Sequence, residues 1–236
     1  MTVSRSSPAP EVTRRTRDTA AMLAATGRPR MRGQLHVVAA YVSAAAGVTL
    51  VVMAISLRST PAAWAAAVYS VSVLALFTTS SLYHRRFWGP RELARMDRLD
   101  HSMIYVLIAG SYTPLAVLAL PHRTGAVVLW VVWSGAAAGV LMTLLWPDAP
   151  HWAGVPLYLA LGWTAAFVMP DLLRGAGVAA FVLVAVGGLA YTTGAITYAT
   201  KRPDPSPEVF GYHEVFHAWT LIAATCHCVA IWLITF

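Results

Sequence analysis

The sequence predicts an all-α protein: a seven-transmembrane helix bundle with its N-terminus in the cytoplasm and its C-terminus outside. Three observations predict it. The composition is too apolar for a soluble surface, seven apolar runs are each long enough to cross a bilayer, and the basic residues gather on one side of those runs. Of 236 residues, 58% are hydrophobic and only 11% are charged, against roughly 25% charged in a soluble domain. So little charge cannot clothe a globular surface.

The runs cover residues 35–57, 62–83, 102–120, 126–146, 155–173, 178–200 and 212–236, and about 20 apolar residues suffice for one crossing. Turn formers separate them, from Ser59-Thr60-Pro61 to the run Pro203-Asp204-Pro205-Ser206-Pro207. Residues 34–236 therefore form one transmembrane domain. Residues 1–33 read as a basic, mobile cytoplasmic tail in which TAAMLAATG can lie on the membrane surface. No secretory leader is expected, because the first long apolar run is itself a full span.

Seventeen residues are Lys or Arg, and the net charge is +7. Fourteen of the seventeen fall in the tail before Gln34, in the stretch from Arg85 to Arg98, and at Lys201-Arg202. With the N-terminus inside, all three places are cytoplasmic, and only Arg58, Arg123 and Arg174 lie outside. The basic residues do not interleave with aromatic residues as a nucleic-acid groove requires, so no nucleic-acid partner is expected. Cys226 and Cys228 are two apart on a helix, about 200° around it, and cannot chelate one ion or found a disulfide framework.

On this frame the second run ends in Ser80-Ser81-Leu82-Tyr83-His84, the third is preceded by Asp97-Arg98-Leu99-Asp100-His101, and the seventh opens on His213-Glu214-Val215-Phe216-His217. Three histidines and a carboxylate from three helices thus reach similar depth near one membrane face, where ionisable groups are costly and turn inward. His213 and His217 are i,i+4, on one helix face, as two ligands of one ion must be. A lone interfacial histidine would need only a hydrogen bond; His84, His213 and His217 together with Asp100 read as a metal site. Zinc is favoured, since three imidazoles with an open fourth position form a catalytic zinc set.

The remaining histidines fit less well. His227 lies about 21 Å along the helix from His213 and cannot share its ion. His36 opens the first run on the cytoplasmic side and could join the cluster but has no ligand spacing around it, His101 points away from Asp100, and His122 and His151 fall in loops. The H-E-x-x-H pattern resembles a zinc protease only superficially. The position six residues after His217 is Ala223, and no acidic residue follows in the remaining chain. A third ligand must come from upstream, and His84 is the candidate.

Ser80-x-x-x-His84, then Arg98-Leu99-Asp100-His101-Ser102 leading to Ala109-Gly110-Ser111-Tyr112-Thr113-Pro114, then His213-x-x-x-His217, resembles the hemolysin III family, the bacterial branch of the progestin and adipoQ receptors. The resemblance covers nearly all of the chain after residue 33. It implies seven helices, a zinc held by His84, His213 and His217, Asp100 acting through a water with Ser80 nearby, and kinship with membrane ceramidases. The expected function is hydrolysis of a lipid amide in the cell membrane, with a membrane lipid as substrate. Glu214 is a second candidate base, ranked after Asp100. A non-enzymatic receptor, sensor or pore stapled by a structural zinc is the alternative; a transporter would place its ionisable groups near mid-membrane and repeat its halves. Gly135 and Gly139 fit close helix packing better than a dimer contact, and the oligomeric state is not legible.

Overall fold

The computed structural model describes residues 29–146 and 154–236, and among them every regular element is helical. Helices α1 (Gln34–Leu57), α2 (Thr60–Arg85), α3 (Pro90–Leu118) and α4 (His122–Leu145) follow one another through short turns. Then come α5 (Gly154–Gly162), a 3₁₀ segment (Trp163–Val168), α6 (Met169–Thr200) and α7 (Tyr212–Thr235). Six helical stretches are long and apolar enough to cross a membrane, one of them the 47-residue run Gly154–Thr200. The protein is a multi-pass membrane protein.

That long run is not a uniform rod. Gly177 has φ 77° and ψ 168°, a conformation essentially confined to glycine, so α6 is two helical pieces meeting at a break. The sequence places a turn there, between the runs 155–173 and 178–200. It does not anticipate the 3₁₀ segment upstream, whose backbone is held from outside: the Tyr112 hydroxyl of α3 donates to Gly162 O and accepts from Ala165 N, both at 2.6 Å.

The largest difference from the expected elements is the start of α3. Apolar length alone begins this helix at residue 102, but it begins at Pro90. Proline fits the first turn because its missing N–H has no partner there anyway, and Arg-Glu-Leu-Ala-Arg-Met continues with good helix formers. Hydropathy cannot see a polar helical extension. This one matters because it carries Asp97 and Asp100 towards the end of α2.

Three apolar clusters hold the bundle, and α3 contributes to each. Leu107 joins Leu50, Phe77 and Ile231 from α1, α2 and α7; Tyr105 packs with Val132 and Leu161 from α4 and α5; Leu115 meets Leu172 and Ala230 from α6 and α7. Gly135 and Gly139 of α4 serve this packing. A methyl group at either would come within 2.4 Å of Leu161 or 2.5 Å of Tyr105, so the pair is used inside the chain.

Large apolar residues such as Val38, Tyr41, Val52, Trp130 and Phe167 are exposed, as suits a surface that faces lipid. Hydroxyls on that surface are satisfied locally. Thr49, Ser56 and Thr193 each donate to the carbonyl four residues back, which meets the requirement that polar groups in hydrocarbon be paired within the protein.

Candidate metal centre

The centre is assembled where α2 ends and α7 begins. The start of α7 is fixed by two carboxylates: Tyr212 N donates to Asp204 Oδ1 at 2.8 Å and Gly211 N to Glu214 Oε2 at 2.9 Å. With the first turn pinned, His213 and His217 project one turn apart. The end of α2 is tied to α3 through Tyr83, whose hydroxyl donates to Asp97 Oδ1 at 2.6 Å. This brings Asp100, nearly one turn further along α3, beside His84.

The structure brings together His84, His213 and His217. One ring nitrogen from each lies within 4.8 Å of the others, and His84 Nε2 is 3.2 Å from His213 Nε2. A tetrahedral zinc with bonds of about 2.0–2.1 Å holds its nitrogens about 3.3 Å apart. One pair already has that spacing, and the group needs only small side-chain rotations to close on an ion. At 3.2 Å the two rings share either one proton or one ion. The residues present fit a zinc.

Asp100 Oδ2 lies 3.8 Å from His84 Nε2, and the Ser80 hydroxyl stands beside the Asp100 carboxylate. Both residues line a cavity of about 570 Å³ that the three histidines also line. From this polar end the cavity continues between α3, α6 and α7, past Leu115, Val184 and Gly188, to His227.

Glu214, the other candidate base, is placed differently. Its Oε2 is taken by the Gly211 N–H, and its Oε1 is 2.8 Å from Arg32 Nε. The side chain is 1% exposed and does not line the cavity. Its partner comes from the segment before α1, which is laced to the start of α7: Arg30 N donates to Glu208 O and Met31 N to Val209 O. Residues 29–33 of the basic tail thus belong to the site's framework. Residues 1–28, with TAAMLAATG, and His151 lie outside the described residues.

His36, which the sequence places near the cluster without ligand spacing, does join it. Its ring stacks on His217, with centroids 3.8 Å apart and planes 18° apart, and meets Phe77 edge-on. Both its nitrogens are buried without a hydrogen-bond partner. The available signal was an ionisable residue in the first turn of an otherwise apolar span, which by itself marks a candidate site. His101 bonds back to Asp97 O at 2.8 Å and lines the cavity too, although it is not one of the three converging histidines.

A family model described as "Haemolysin-III related" matches residues 25–228. The chain belongs to this family. Among relatives, it is 30% identical over 169 residues to the "Hemolysin-3 homolog" of Bacillus subtilis, covering 71% of this chain and 76% of that protein. It is 30% identical over 186 residues to "Hemolysin-3" of Bacillus cereus, covering 79% and 82%. It is 28% identical over 186 residues to "Heptahelical transmembrane protein ADIPOR2" of Oryza sativa subsp. japonica, covering 71% and 80%. In this haemolysin-III chain, the matched segment contains all three converging histidines, Ser80 and Asp100.

Proposed function

We propose that this haemolysin-III family protein is a zinc-dependent hydrolase of lipid amides, ceramidase-like in its chemistry, acting on a lipid of its own membrane. One observation carries the reading: three ring nitrogens within 4.8 Å of one another, with Asp100 alongside, form one end of a cavity whose walls are otherwise largely apolar. His84, His213 and His217 would hold the metal. A zinc ion there supplies Lewis acidity and lowers the pKa of a coordinated water to about 7.

Asp100 is the better-placed base. Its carboxylate takes the proton from the attacking water, and Ser80 keeps that carboxylate turned toward the site. The same proton is then available to the leaving amine as the C–N bond breaks, so an amide and a water yield a fatty acid and an amine. The apolar walls hold the acyl chain and exclude bulk water. Glu214 cannot do this work while its two oxygens serve Gly211 and Arg32.

We also infer seven crossings with the N-terminus in the cytoplasm. The break at Gly177 supports counting Gly154–Thr200 as two spans. At one end of the bundle Arg30 bonds Glu208, and at the other Arg58 donates to the carbonyl of Phe236, so α1 and α7 run the same way, as an odd number of crossings requires. Reporters fused at Met1 and after Phe236 should fall on opposite sides; finding both on one side removes the seven-span reading.

A second reading has the same three histidines staple α2 to α7 in a receptor, sensor or pore. The contact between His84 and His213 favours it, and the name "Hemolysin-3" of the Bacillus cereus relative suggests the pore. Incubating zinc-loaded protein with vesicles that contain long-chain lipid amides and esters decides between the two. Fatty acid release supports the hydrolase. A folded, zinc-loaded protein that turns over none of them supports the staple.

A further inference from the structure

His227 has no part in the metal centre, yet the fold has made room for it. It lies ten residues beyond His217 on α7, so about 15 Å deeper into the bundle, and it lines the same cavity. Its ring occupies a socket on α6: a methyl group at Gly187 would come within 2.4 Å of His227 Cδ2. Tyr191, one turn further along α6, covers the ring edge-on, with centroids 5.5 Å apart at 67°. An ionisable side chain at such depth is costly and marks a functional position with a partner to be named.

The chemistry of the partner follows from the ring's one hydrogen bond. His227 Nε2 lies 3.3 Å from Val184 O. Only a protonated ring nitrogen bonds a carbonyl oxygen, so Nε2 carries the hydrogen and Nδ1 is an acceptor. The Val184 carbonyl sits inside α6 and already has a helical N–H to receive, so it gains little from the histidine. Ser111, eleven residues beyond Asp100 on α3, brings a second hydroxyl to the cavity at about 16 Å from the metal end. Helices α3 and α7 both leave the metal centre in the same direction, so Ser111 and His227 share a depth.

We propose that His227 and Ser111 form a second polar subsite, which reads a hydroxyl group on the chain of a bound lipid, about 15 Å from the carbonyl at the metal centre. The ligand class is a long-chain lipid hydroxylated near mid-chain, and not a plain saturated acyl chain. The hydroxyl donates its hydrogen to His227 Nδ1. This deepens the proposed lipid-amide reading and rests on it.

The test is equilibrium binding to the zinc-loaded full chain in detergent, with stearate, 12-hydroxystearate and 2-hydroxystearate as probes. The wild type should bind 12-hydroxystearate about tenfold more tightly than stearate, the worth of one well-made hydrogen bond. His227→Leu should reverse that order, because the same hydroxyl would then be buried without a partner. It should leave stearate affinity within about twofold and zinc content unchanged, since three nitrogen ligands remain. His227→Gln, which keeps a polar group in the socket, should retain part of the preference, and 2-hydroxystearate should show no dependence on His227. If stearate binds and the mid-chain hydroxyl adds nothing in the wild type, the subsite is overturned while the hydrolase reading stands. A preference that survives His227→Leu overturns it as well. If neither fatty acid binds, the acyl cavity itself is wrong and both readings fall.

Discussion

Asp100 and Glu214 are the two carboxylates beside the histidines, and the fold treats them in opposite ways. Asp100 faces the cavity beside Ser80, 3.8 Å from His84. Glu214, adjacent to His213 in sequence, is turned about 100° around α7 and is used up by the Gly211 N–H and Arg32. One carboxylate faces the cavity; the other organises the end of the helix that carries two of the three histidines. Proximity in sequence to a converging histidine says little about which way a side chain faces.

The largest test of this contrast is turnover. Asp100→Asn should keep zinc and lose about 10²–10⁴-fold in lipid-amide hydrolysis, the usual worth of a positioned general base. Glu214→Gln should stay within a few-fold of wild type. A reversal of the two would give Glu214 the catalytic role despite its position.

Stability should sort the pair the other way. Arg32→Ala leaves the Glu214 carboxylate buried with one partner gone and should cost about 1–3 kcal/mol, read from unfolding in mixed detergent. Glu214→Gln should destabilise by a similar amount, and the double variant by less than the sum, because both changes remove one interaction. Additive losses would mean the ion pair does not hold the strap before α1.

A smaller effect is expected at His36, which stacks on His217 and offers its nitrogens nothing. His36→Phe keeps the stack and should leave zinc affinity and stability near wild type. His36→Ala uncovers the ligand ring and should weaken zinc about tenfold, in the range of other outer-shell changes. Loss of zinc from the Phe variant would mean that the ring nitrogens, not the ring face, support the centre.

The sequence made the three converging histidines legible and the scaffold only partly so. His213 and His217 announce themselves by i,i+4 spacing, and His84 follows because nothing after His217 can complete the set. The helical break near Gly177 is visible as glycines between two apolar runs. The start of α3 at Pro90 was not visible from hydropathy, because residues 90–101 are mostly charged or polar while forming a sound helix. The 3₁₀ segment was hidden for a different reason: its support is a hydroxyl from Tyr112, some fifty residues earlier in the chain. The stacking of His36 on His217 and the pairing of Arg32 with Glu214 were not legible, because both arise through tertiary packing from the first helix and the segment before it.

Whether His84, His213 and His217 hold one ion together is read most plainly from zinc content. Elemental analysis of the purified wild type should find about one zinc per chain, and replacing any of the three with alanine should remove most of it, because two imidazoles make a poor zinc site. His227→Leu should leave the content unchanged. A triple-alanine variant at His84, His213 and His217 that still folds and carries a full complement of zinc would contradict the account.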